Sequence, residues 1–200
     1  MAEAAPDPEV QPGDVGDDEE TPGYKAPKQV DLETLQNLDA DDESLVKYKQ
    51  ALLGNAGELP KDKTGPNVVV EKFCILSKDR EKKDIDLTGD LTKLKSNPVV
   101  IKEGTEFKIE IQFKVNYEIV AGLKYMHAIY RKGIRVDKSG YMVGSYGPKP
   151  EVQTWSTPYE EAPKGILGRG HYTLKSRFTD DDKNDILSWE WSFDIKKDWE

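Results

Sequence analysis

The chain has 200 residues, with 38 Asp or Glu, 29 Lys or Arg, two His and one Cys, for a formal net charge of -9. A single cysteine excludes an internal disulfide, and with only His127 and His171 beside it no recognisable zinc cluster can form. No apolar run approaches the ~20 residues that span a bilayer, and MAEAAPDPEV lacks the basic and apolar regions of a secretory leader. A cytoplasmic protein without stable membrane insertion is therefore expected.

The charge is unevenly placed. Residues 1–66 hold 16 acids and six lysines, a net of -10, whereas 67–200 come to +1. Phosphate recognition wants a basic face, so nucleic acid is not expected as a partner. Residues 1–23, with eight acids, no base and four prolines, read as a disordered acidic tail.

Two short helices are predicted next, in an arm covering 24–56. In VDLETLQNLD (30–39), Asp31 can cap, with Val30 and Leu35 spaced as a hydrophobic staple. In DADDESLVKYKQALLGN (39–55), Asp41 or Asp39 can cap, Asp42 and Glu43 suit the positive helix start, and Gly54 suits its end. Leu45, Tyr48 and Leu52 form one narrow apolar stripe, too small to hold so short a helix in water alone. The arm needs a surface, either its own domain or a partner. GELPKDKTGPN, with 57–66 as the linker, leads into the domain at 67–200.

From there the chain reads as strands: 68–76, then 85–87 after a charged turn, and 107–115, where Phe107, Ile109, Ile111, Phe113 and Val115 alternate onto one face. Further strands are predicted at 123–131, 141–143, 151–155, 172–178 and 188–196. In the last, Trp189, Trp191, Phe193 and Ile195 share a face. Short strands between Gly, Pro and Asp turns, without a long helix, predict an all-β, immunoglobulin-like antiparallel β-sandwich preceded by a flexible arm.

Catalytic chemistry is absent from this pattern. His127 shares a face with Leu123, Tyr125 and Ile129 and is expected to be a hydrogen-bonded core residue. GILGRG (165–170) is neither a dinucleotide fingerprint nor a P-loop. DDDKND (180–185) fails as an EF-loop, because Asp185 stands in the glycine position and Trp191 in that of the bidentate Glu. No cofactor, no metal and no enzymatic activity are expected.

Several longer strings are distinctive. DLTGDL (86–91), YMVGSYGP (141–148), EEAPKGILGRGHYTLKSRFTDDDK (160–183) and LSWEWSFDIKKDW (187–199) resemble the Rho GDP-dissociation inhibitors, and YKAP (24–27) and DDESLVKYKQALLG (41–54) resemble that family's regulatory arm. The resemblance covers roughly 24–199 in order. It implies a sandwich that sheathes the geranylgeranyl group of a prenylated, GDP-bound Rho-family GTPase, one-to-one, between sheets pried open at one end. It also implies an arm that docks on the switch regions, slows GDP release and helps extract the GTPase from membranes.

Carried over position by position, the resemblance places Ile75, Val99, Phe107, Ile119, Leu174 and Trp191 in the prenyl slot, and Tyr24, Asp42, Ser44, Tyr48, Asp181 and Asp182 on the GTPase. By residue type alone, ordinary core packing is the better account of the first six, and only the resemblance raises them. Val99, Pro98 and the charged 77–84 stretch depart from the family's usual pattern. A lipid-binding chaperone of the same fold without nucleotide control is the alternative, against which the arm argues.

Overall fold

The computed structural model describes residues 42–47 and 64–199. The tail at 1–23, the helix at 30–39 and most of the arm and linker fall outside the described residues. Strands β1 (Val68–Ser77), β2 (Arg80–Asp86), β4 (Glu106–Val115), β7 (Gln153–Ser156) and β8 (Glu160–Glu161) form one sheet. Strands β3 (Val99–Lys102), β5 (Val120–Arg131), β6 (Ile134–Tyr146), β9 (Gly170–Thr179) and β10 (Asp185–Lys196) form the other. The first runs β2-β1-β4-β7, with β8 also pairing β4; the second runs β3-β10-β9-β5-β6.

Period-two alternation gives each sheet one large apolar face, and the two faces meet as a single core. Strand β4 shows the cleanest pattern: Ile109, Ile111, Phe113 and Val115 are buried while Lys108, Glu110, Gln112 and Lys114 between them are not. Phe113 of one sheet lies 5.4 Å, centroid to centroid, from Phe178 of the other. The expected β-sandwich is therefore present.

Four local expectations need correction. One pairing is parallel, β3 against β10 with Val99 opposite Phe193, because the chain leaves the first sheet and reaches the free edge of β10 running in its direction. The charged stretch expected as a turn is mostly strand β2, with its break confined to the two residues after Ser77. An edge strand tolerates such charge, and here Lys82 reaches across to Glu110 at 2.6 Å. His127 is buried as expected, yet neither ring nitrogen has a hydrogen-bond partner among the described residues. Burial without a partner lowers its pKa, so the ring is neutral in the core.

The fourth correction lies in the arm. Residues 43–47 form a helical turn, and the residue capping it is Asp42 rather than Asp41 or Asp39. Asp42 Oδ1 accepts from the backbone N–H of Ser44 at 2.8 Å and of Leu45 at 3.2 Å.

Candidate functional site

A cleft of about 310 Å³ opens where the sheet edges meet, between β2 and the β3–β10 pair. Its walls are Ile85, Leu94, Pro98 and Val99, and Trp191 and Ser192 form the side belonging to β10. Lys83 and Asp84 of β2 stand at it as the charged lining. That volume is at the small end of ligand cavities, about 300–1,000 Å³. The cleft lies along the lateral edge of the sandwich, where β2 of one sheet meets β3 and β10 of the other.

Local chemistry holds this edge. The 3-10 turn Leu91–Lys93 is capped by Asp90, whose side chain accepts from Thr92 N. Ser192 Oγ donates to Lys95 O at 2.8 Å, and Lys95 Nζ lies 3.1 Å from Glu190, so the 95–98 segment is clasped to β10. Pro98, whose ring fixes φ and removes an N–H donor, precedes the first paired residue of β3 and costs the ladder nothing.

Behind the cleft the interior is aromatic. Phe73 lies 4.8 Å from Trp191 and 6.0 Å from Trp189, and Trp191 lies 5.8 Å from Phe193. Trp191 Nε1 donates to Ser176 Oγ at 3.1 Å, and the Tyr125 hydroxyl is also 3.1 Å from that oxygen. Tyr141 donates to Glu160 Oε1 at 2.5 Å, and burial pushes its phenol up to about 12. Trp189 Nε1, like both nitrogens of His127, is buried without a partner among the described residues.

The six expected slot residues divide. Val99 and Trp191 line the cleft, and Leu174 is paired with Trp191 across β9 and β10. Ile75 is buried beside this region, opposite cleft-lining Lys83 in β1–β2. Phe107 is half-buried at the start of β4, opposite Ser77 and Glu160. Ile119 lies past the other end of β4, whose ten residues span about 30 Å, so Phe107 and Ile119 stand at opposite ends of the sandwich. Of the six, Val99 and Trp191 line the cleft itself.

Of the six residues expected on a partner, Tyr24 and Tyr48 lie outside the described residues. Asp42 and Ser44 are exposed on the helical turn. Asp181 and Asp182 sit on the β9–β10 turn, which is more built than a solvated loop. Asp180 is buried there and accepts from Asn184 N at 2.9 Å and Asn184 Nδ2 at 2.8 Å. Asp181 packs against Gly122, whose φ is +59°; a Cβ added at Gly122 would come within 1.8 Å of the carboxylate. Lys124 Nζ reaches Asp181 Oδ1 at 3.3 Å, and Asp182 beside it is exposed.

The cleft residues Lys83, Ile85, Leu94 and Asn97 did not emerge from the sequence, although Leu91 and Leu94 before Pro98 were a usable signal for a packed turn. The pairing of Glu103 with Arg169 was also missed: Arg169 Nε and Nη2 donate to the two carboxylate oxygens at 2.8 and 2.7 Å, and Gly165 N adds a third bond. The Arg169 guanidinium holds the Glu103 carboxyl at about 2, below its ordinary 4.5. Because the folded value is depressed, this pair's contribution is present above pH 4.5 and is lost as pH falls toward 2. Urea titrations across that range should show a smaller acid loss for Glu103→Gln than for wild type. Parallel curves would exclude the pair as a source of acid sensitivity.

A family model described as RHO protein GDP dissociation inhibitor matches residues 11–198. Rho GDP-dissociation inhibitor 1 of Homo sapiens is 53% identical over 184 residues, 92% of this chain and 90% of that protein. Rho GDP-dissociation inhibitor 3 of Bos taurus is 51% identical over 185 residues, 92% of this chain and 81% of the relative. Among solved structures, a Niemann-Pick type C2 protein from Japanese carpenter ant aligns at TM-score 0.41 and 12% identity, covering 68% of this chain and 98% of that one, a likeness too loose to argue from.

Proposed function

The chain belongs to the Rho GDP-dissociation inhibitor family, and on that footing we propose that its sandwich, 67–200, sheathes the prenyl group of a GDP-bound Rho-family GTPase while the arm, 24–56, holds the switch regions. Its function is Rho GDP-dissociation inhibition. The finer reading is a one-to-one complex, kept soluble in the cytoplasm, without catalysis or cofactor. No helix among the described residues is long and apolar enough to cross a membrane.

The observation that carries the lipid half is the edge cleft walled by Ile85, Leu94, Pro98, Val99 and Trp191. A prenyl chain contributes on the order of 10 kcal/mol when about a dozen carbons are buried at ~0.8 kcal/mol each. The cleft alone takes part of such a chain, and the rest requires the rings of Phe73, Trp189 and Trp191 to give way. The closed packing is not a perfect one, since Trp189 Nε1 and the His127 nitrogens lack partners in it, and unpaired buried polar groups are costly. Parting the sheets therefore sacrifices less than it would in a fully satisfied core.

The arm half rests on chemistry at Asp42 and at the β9–β10 turn. Carboxylates at Asp42, Asp181 and Asp182 suit directional contact with an arginine or with hydroxyl and N–H donors of a partner. Asp42 also caps its own helical turn, so an alanine there would remove two things at once. Asp42→Asn separates them, because Asn caps as well as Asp but carries no charge. GDP release from a prenylated Rho-family protein, followed by fluorescent nucleotide, should quicken several-fold with this full-length variant. Release as slow as with wild type would leave Asp42 as a cap and nothing more.

A further inference from the structure

The most exposed large apolar side chains in the described chain are Ile166 and Leu167, at 82% and 87%. They occupy the two corner positions of a β-turn closed by Gly168 N donating to Gly165 O at 3.0 Å. Turn corners ordinarily carry Pro, Gly, Asn, Asp or Ser, so two aliphatics there need a reason.

This turn is also held firmly. Gly165 N and the Arg169 guanidinium bind Glu103, Arg131 Nη2 donates to Arg169 O at 2.7 Å, and Arg131 Nη1 donates to Leu167 O. The Tyr172 hydroxyl donates to Gly168 O at 2.7 Å, and a Cβ on Gly168 would meet Pro163 at 2.8 Å. The clamp presents the two side chains outward rather than letting them fold back.

The neighbouring β5–β6 hairpin extends the same surface. Its corner residues Lys132 and Gly133 both have positive φ, 51° and 77°, which displays the lysine at the tip. Ile134, 70% exposed, is paired with Arg131, and directly opposed residues of an antiparallel ladder share a face. Three exposed aliphatics thus stand beside the cations Arg131 and Lys132. The acids at hand, Glu103 and Glu161, are already paired with Arg169 and Lys164.

We propose that this tip, the 165–168 turn with the β5–β6 hairpin, docks the protein on an anionic lipid bilayer. Aliphatic corners enter the interface while Arg131 and Lys132 meet the lipid phosphates and carboxylates, the combination that peripheral surfaces use. The acidic N-terminal third, at a net -10 over 1–66, opposes lasting attachment to the same surface. The contact is brief by construction. It gives the protein a place to land that is separate from the edge cleft and does not depend on a prenylated client.

Co-sedimentation of the full chain with vesicles tests this. Wild type should bind phosphatidylcholine vesicles carrying phosphatidylserine more than vesicles of phosphatidylcholine alone, and the difference should shrink with salt as charge is screened. Ile166→Ser with Leu167→Ser should cut the bound fraction about tenfold or more. Lys132→Glu should cut it about several-fold, and only on the anionic vesicles. Binding to unprenylated GTPase should stay at the wild-type level in both variants. The proposal is overturned if the double variant sediments with vesicles as wild type does, or if neither binds. It is overturned equally if the double variant loses GTPase affinity while vesicle binding holds, which would make the turn a protein contact.

Discussion

Trp191→Ala is expected to destabilise the sandwich by about 3–5 kcal/mol, the range for emptying a large aromatic site in a packed core. The indole is 1% exposed, lies 4.8 Å from Phe73 of the facing sheet with the two rings tilted at 52°, and donates to Ser176. Its loss opens a void between the sheets and deprives a hydroxyl that also holds Tyr125 in place. Urea denaturation would read the loss directly, and thermal unfolding would shift down by roughly 10 °C or more. Trp191→Phe keeps a ring against Phe73 and gives up the N–H, so it should lose only about 1–2 kcal/mol. An alanine variant within about 1 kcal/mol of wild type would mean that the closed core does not depend on this ring.

The second large effect concerns the client. Val99→Asp should reduce extraction of a geranylgeranylated Rho-family protein from liposomes by at least about tenfold, because a carboxylate on the cleft wall must be dehydrated as the lipid enters. Pairing with nearby Lys83 would soften that cost without removing it. The side chain is half-exposed and its backbone ladder with Phe193 is untouched, so folding should survive. Binding of unprenylated GTPase should also survive, since it does not use the cleft. Undiminished extraction would move the lipid away from this edge, with the neighbourhood of Ile119 at the far end as the alternative to probe.

These two variants also mark what the sequence discloses. Trp191 and its companions announced themselves, because a strand buried on one face must alternate, and β4, β9 and β10 do so with large apolar residues. The core followed from that period. Strand β2 was seen only at its end, 85–86, because an edge strand need not bury much: in REKKDID only Ile85 is even half-buried, so the charges before it read as a turn. Strand β3 was hidden for the opposite reason, four residues being too few to establish a period. The cleft belongs to neither strand alone. It exists because the topology brings β2 of one sheet beside β3 and β10 of the other, a long-range fact that no local pattern encodes. At Asp42 the error was one residue, and three successive Asp/Glu at 41–43 make such a slip unavoidable from pattern alone.

Strands β2 and β3 are consecutive in the chain yet belong to different sheets, joined through the capped 3-10 turn and the clasped 95–98 segment. The two lips of the cleft are therefore leashed to each other by a dozen residues, part of which are already spoken for by Asp90, Ser192 and Glu190. Gaping at this edge draws on the remaining slack and then stops. Widening this edge beyond that slack would cost the Lys95–Ser192 bond, which makes the clasp a latch on the lip rather than a hinge.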